Sequence, residues 1–133
     1  MSQENVEQLY RAQEALNQRD LDAFIGFQDL DVEIVPRILK VEGGDSYRGH
    51  DGLRTWWENL HDVFPDFSAE IDEVRDLGDV ILARVRLRGQ GLGSEAAMEQ
   101  TAWYVVEVRD TKAIWWGIFL SEAEALEAAA LRE

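Results

Sequence analysis

The chain has no cysteine, so thiolate catalysis, disulfide staples and thiolate metal sites are all excluded, and a cytoplasmic location is the natural expectation. Long apolar runs are missing too. No stretch is apolar for long enough to span a bilayer, and Met1-Ser2-Gln3-Glu4-Asn5 has neither the basic run nor the apolar core of a signal peptide. Positive charge is scarce, with 13 basic against 27 acidic residues and a formal net charge of −14. Such a chain repels phosphate backbones and anionic lipid, so neither nucleic acid nor membrane is expected as a partner. The only histidines, His50 and His61, have no carboxylate–histidine spacing around them, so no metal site is expected. The glycines at 89–93 fall between two strands rather than between a strand and a helix, which removes the nucleotide-cradle reading. No cofactor is implied.

What is present reads as one domain of 133 residues, 1–133, with helices first and sheet afterwards. Val6, Leu9, Tyr10 and Leu16 recur with helical period over 4–18, and Gln13 interrupts that apolar stripe. A polar residue at such a position needs a buried partner, a cavity or water. Asp20 is placed to cap a second helix carrying Leu21, Phe24, Ile25 and Phe27. Residues 31–38 read as a strand with Pro36 at its edge or end, and Glu42-Gly43-Gly44-Asp45 as a turn. The corner Tyr47-Arg48-Gly49-His50-Asp51-Gly52 opens a helix over 51–64 with the stripe Leu53, Trp56, Trp57, Leu60 and Phe64.

From Asp66 onward the apolar period changes from 3.6 to 2, the mark of strands. Four are expected, over 67–74, 80–88, 98–109 and 113–120, with the loosest loop at 89–94 between the second and third. In the second, Ile81, Ala83, Val85 and Leu87 alternate with Leu82, Arg84, Arg86 and Arg88, giving an apolar face and a basic one. Glu99 and Glu107 are expected to pair across strands with those arginines. A capping box, Ser121-Glu122-Ala123-Glu124, starts a last helix reaching Leu131.

The order of these elements, with Asn17-Gln18-Arg19-Asp20-Leu21-Asp22-Ala23 between the first helices, Asp31-Val32-Glu33 in the first strand, Tyr47 to Gly52 entering the third helix and Glu124 to Ala129 at the end, resembles the SnoaL-like branch of the nuclear-transport-factor-2-like superfamily. The resemblance covers essentially the whole chain. It implies an α+β fold in which a strongly curved, antiparallel or mixed sheet wraps three helices of the N-terminal half into a cone with an internal pocket, followed by a short C-terminal helix. Relatives in that superfamily include ketosteroid isomerases, polyketide cyclases, epoxide hydrolases and dehydratases, so the pocket residues must decide the chemistry. The isomerase pattern asks for a carboxylate base near the end of the first strand, where this chain has Val35. It asks for a tyrosine on the first helix, where Ala12 stands beside Gln13, and for an acid on the penultimate strand at or beside Tyr104. The familiar steroid-isomerase set is therefore incomplete.

Among the acids placed in strands, Glu33 is the one candidate for the inside of the cone, where burial would raise its pKa and suit it to acid–base work with Tyr104 as hydrogen-bond donor. The favoured reading is the plainer one, a glutamate exposed on the surface or paired with Arg37. Alternation places Tyr10, Gln13, Phe24, Val35, Trp56, Trp57, Tyr104, Trp116 and Ile118 around an apolar pocket that large rings fill or line equally well. On the other face of the last hairpin, Trp103, Val105, Trp115 and Phe119 form an apolar patch expected to make a homodimer, unless the tail helix covers it. Three functions follow: a cofactor-independent acid–base enzyme using Glu33, a non-catalytic holder of a small hydrophobic molecule, or a structural homodimer with a plugged cone.

Overall fold

A computed structural model describes residues 2–36, 46–90 and 97–132. Arg37, Ile38, the turn at 42–45 and most of the loop at 89–94 lie outside the described residues. The elements run α1 (Ser2–Asn17), α2 (Leu21–Gly26), β1 (Gln28–Pro36), β2 (Tyr47–Arg48), α3 (Gly49–Val63), β3 (Ser68–Asp76), β4 (Val80–Gln90), β5 (Ala97–Arg109), β6 (Lys112–Phe119) and α4 (Glu122–Arg132). The strands form a curled, unclosed sheet in the order β2-β1-β6-β5-β4-β3. β1 and β6 run parallel and every other neighbouring pair antiparallel, so the sheet is mixed, as expected. None of the described helices is long and apolar enough to cross a membrane.

Both expected helix starts are visible. The Ala23 amide donates to Asp20 Oδ1 at 3.1 Å, and the Glu124 amide to Ser121 Oγ at 3.3 Å. α1 buries Leu9, Ala12, Gln13 and Leu16, while Tyr10 is 47% exposed. Leu9, Gln13 and Leu16 of the expected stripe are buried and Val6 packs partly buried against the core, with Asn5 and Ala12 completing the face; Tyr10 alone departs, flanking it about 100° round the helix from Leu9.

The sheet has two covered faces. On the inner one, Val32, Ile34, Ile81, Ala83, Val85, Leu87, Tyr104, Val106, Trp116 and Ile118 pack with Leu9, Phe24, Leu53, Trp56, Trp57 and Leu60 of the first three helices. On the outer one, Val35, Val80, Leu82, Val105, Trp115 and Phe119 pack against Ala125 and Ala129 of α4, with Trp103 half-buried beside them. The open patch expected there does not exist, because α4 lies over it; Trp115 is 8% and Phe119 6% exposed. Two contacts fasten the end of α4: the Arg132 guanidinium lies 3.7 Å from the Trp115 ring centroid and donates to Glu107 Oε1 at 2.8 Å. Gly117 lies between Trp115 and Phe119, where a Cβ would meet Trp115 Cη2 at 2.5 Å, so the residue there must be small for the two rings to close over it.

Arg84, Arg86 and Arg88 do lie outward and make their close ion pairs with β3, Arg84 with Glu73 at 3.5 Å, Arg86 with Asp72 at 2.8 Å and Arg88 with Glu70 at 3.8 Å, while Glu99 of β5, opposite Arg88, adds a lesser attraction to Arg86. Glu107 goes to Arg132 instead. The exposed edge strand β3 therefore carries charge along its outward side, which discourages further strand pairing.

Candidate functional site

The site begins with Gln13, the polar residue on the buried stripe of α1, itself only 4% exposed. Its partner comes from β5, where Tyr104 faces inward opposite Ala83 of β4 and Ile118 of β6. The Tyr104 hydroxyl donates to Gln13 Oε1 at 2.8 Å. Burial pushes the Tyr104 pKa well up, so the phenol stays protonated and remains a donor through the physiological range. One turn along α1, Asn17 Oδ1 accepts from Gln13 Nε2 at 3.3 Å. Asn17 then grips the edge strand: its Nδ2 donates to Ala69 O at 2.8 Å, and its Oδ1 accepts from the Ala69 amide at 2.9 Å. A continuous hydrogen-bonded chain runs from the inner sheet face through α1 to the edge of β3.

Gln13 and Asn17 also line a groove of about 510 Å³ between α1 and β3, together with Tyr10, Ala69, Ile71 and Arg88. Gln13 Nε2 carries a second N–H with no partner among the described residues. Behind Gln13 the aromatic side chains pack against one another, mostly tilted or edge-on. Trp116 lies 5.3 Å from Tyr104 and 5.7 Å from Phe24 between ring centroids, and Phe24 lies 5.3 Å from Trp57 and 6.2 Å from Trp56. None of the five rings is more than 8% exposed. They pack as a core, and the groove beside Gln13 is where open space adjoins it.

The structure brings together Gln13, Phe24, Trp56, Trp57, Tyr104, Trp116 and Ile118, and places Tyr10 on the groove's outer wall. Val35 and Glu33 are elsewhere. Val32 and Ile34 face inward, so the alternate residues Glu33 and Val35 face outward, with Val35 packed in the cluster under α4. Glu33 stands in register with Arg48 of β2 and with Trp115 of β6, and pairs with Arg48 at 3.5 Å. The candidacy of Glu33 for the inside of the cone is thus corrected in favour of the surface reading, and among the described residues its cation partner is Arg48, Arg37 lying outside them. Among the described residues no carboxylate is buried. Trp103, Val105, Trp115 and Phe119 lie on the opposite side of the sheet from the site, as their alternation with Tyr104 requires.

Asn17 is the contributor that sequence reasoning missed. It is exposed, ends a helix, and shows its role only once β3 is folded beside it. Its spacing of four from Gln13 was the available clue. The histidines stand apart from the groove: His50 Nε2 donates to Gln28 O at 3.0 Å, and His61 Nδ1 donates to Trp57 O at 2.8 Å.

A model of the SnoaL-like domain matches residues 6–116. No curated protein matches the chain in sequence. Among solved structures, an NTF2-like protein of unknown function from Burkholderia pseudomallei superposes with a TM-score of 0.81 at 17% identity, covering 93% of this chain and 95% of that one. TerC, co-crystallised with polyporic acid, gives 0.81 at 18% identity, with 96% and 98% covered. A hypothetical protein of ketosteroid isomerase-like fold from Catenulispora acidiphila, in complex with trimethylamine, gives 0.78 at 13% identity, with 93% and 92% covered. At such identities the likeness is one of fold.

Proposed function

Starting from the fact that the chain belongs to the SnoaL-like domain family, we propose that it holds a small, largely apolar organic molecule, without acting on it chemically, in the groove between α1 and β3. The observation that carries this reading is the chain Tyr104–Gln13–Asn17, which fixes a buried amide at the groove and leaves it one N–H to offer. Tyr104 orients Gln13 from behind, Asn17 from the side, and the free N–H addresses a carbonyl, ether or hydroxyl oxygen on the ligand. Holding two of the amide's bonds in advance lowers the ordering cost of binding. Small organic molecules bound to TerC and to the Catenulispora protein support the reading. Binding is preferred over acid–base catalysis because Glu33 sits on the outer face beside Arg48.

Native mass spectrometry of the purified protein, compared with its denatured mass, tests this directly. The expected result is a co-purified adduct in the wild type and in Glu33→Gln, lost in Gln13→Leu and weakened in Tyr104→Phe. An adduct that survives Gln13→Leu, or turnover that disappears in Glu33→Gln, would overturn it.

A further inference from the structure

β1 opens on Gln28, a residue with no place in the site above. Its side chain is buried, with the residue 3% exposed, yet neither Oε1 nor Nε2 has a hydrogen-bond partner among the described residues. A carboxamide withdrawn from water with both ends unsatisfied is among the more costly things a fold can retain. Gln28 lines a groove of about 340 Å³ that it shares with Ile25, Gly26, Leu30, His50 and Lys112. None of these residues lines the groove between α1 and β3.

Each neighbouring donor group already makes one bond to the backbone. His50 Nε2 donates to the Gln28 carbonyl, and Lys112 Nζ donates to the Gly26 carbonyl. What lacks any partner among the described residues is the Gln28 carboxamide, a donor group and an acceptor side by side, both shielded from solvent. α3 also begins here, with no side-chain cap from Arg48, and Gly49, at φ +69°, presses so close that a Cβ would meet Leu30 O at 3.3 Å. Uncapped helix N–H groups favour an electron-rich oxygen nearby. A full anion is opposed because Asp22 and Asp29 outnumber Lys112 among the groove's charged residues, and by the net charge of −14.

We propose that this second groove binds a small neutral molecule carrying a primary carboxamide on an apolar body. The ligand's N–H donates to Gln28 Oε1 and its carbonyl accepts from Gln28 Nε2, the reciprocal two-bond pair that amides form, while Ile25 and Leu30 contact the apolar body. The pair requires an N–H on the same side as the ligand's C=O, which a primary amide has and a fully substituted amide lacks. In the free protein the Gln28 amide is closed off from solvent, so the ligand displaces covering side chains and binds weakly for its size.

Benzamide is the probe, titrated into the wild-type protein while the Gln28 side-chain NH₂ signals are followed by ¹H–¹⁵N NMR and assigned by their absence in Gln28→Leu. The expected result is a saturable shift of those signals, with N,N-dimethylbenzamide and benzoate each weaker by roughly tenfold or more. In Gln28→Leu, benzamide no longer shifts the backbone signals of His50 and Lys112. The proposal falls if benzamide gives no saturable shift up to its solubility limit. It falls equally if benzoate or the dimethyl amide binds as well, or if the amide contacts only a long-lived water that benzamide does not displace. Should Gln28→Leu fail to fold, the ranking of the three probes on the wild type decides the matter.

Discussion

His61 shows how one side chain couples packing to pH. It packs against Trp57 with ring centroids 4.8 Å apart and the planes tilted by 50°, Nδ1 donates to Trp57 O, and Nε2 is buried with no partner among the described residues. With Nδ1 carrying the proton, Nε2 holds a bare lone pair, and protonating it would put an unpaired N–H into the interior. Burial lowers the His61 pKa below its usual 6.5; the Trp57 bond raises it, Arg19 lowers it and Asp62 raises it, but burial is the largest influence. The unfolded chain therefore takes up the proton first as pH falls. The contribution of His61 to stability is complete above about pH 6.5, is lost as pH drops below that value, and levels off once the folded form is protonated too. Urea unfolding at pH 7.5 and pH 5.5 checks this, since His61→Phe keeps a ring on Trp57 and cannot titrate. The wild type should lose more stability than the variant between the two pH values; equal losses would remove His61 from the explanation. None of this was readable in the sequence, where His61 registers only as a histidine without metal-ligand spacing.

The turn between α1 and α2 makes the corresponding case for elements. Asp20 N donates to Ala15 O at 2.8 Å and Arg19 N to Leu16 O at 3.2 Å, the paired closure that ends many helices, with Arg19 at φ +60° where glycine is the favoured residue. A side chain in that conformation costs about 1–2 kcal/mol. Arg19→Gly removes that strain at the price of a more flexible unfolded chain, so a net gain of up to about 1 kcal/mol is expected. Thermal unfolding at pH 7.5, where His61 is neutral, measures it; a lower melting temperature would mean that the Arg19 side chain contributes more than its backbone costs. Elements were the scale at which the sequence was most informative, because a 3.6-residue period and a 2-residue period are distinct over long stretches such as 53–60 and 81–87. β1 was the exception. Val32, Ile34, Val35 and Pro36 are all buried, so alternation could not say which of them looks inward, and the shift in pairing register between Gln28 and Glu33 hid the strand's true start. That Glu33 had to stand as a candidate for both faces follows from that single ambiguity. Gln13 and Tyr104 were legible for the opposite reason, since each is a polar group set in an unambiguous apolar stripe.

At the scale of the whole molecule, the sheet has to be covered on both sides, and α4 covers the outer one. Both faces of the β5–β6 hairpin are apolar, which sequence alternation exposed clearly, but the identity of the cover depends on where a short alanine-rich helix docks, and its weak amphipathic pattern gives little guidance. Alanine at 125 and 129 lets the helix approach the sheet closely, and Arg132 secures its end on Trp115 and Glu107. The homodimer expected from Trp103, Val105, Trp115 and Phe119 thereby loses the exposed patch on which it was argued. Ending the chain after Ser121 would strip the cover from Val35, Val80, Leu82, Val105, Trp115 and Phe119, a contiguous apolar surface of the kind soluble monomers seldom expose. The expected outcome by sedimentation velocity is association of the shortened chain that grows with concentration and is absent from the full-length chain, together with a melting temperature several degrees lower. If the full-length chain already pairs through this face, α4 must move aside to allow it, and removing α4 would strengthen a pre-existing dimer instead of creating association. A shortened chain that keeps both the subunit count and the melting temperature of the full-length protein would show that α4 does not hold the outer face.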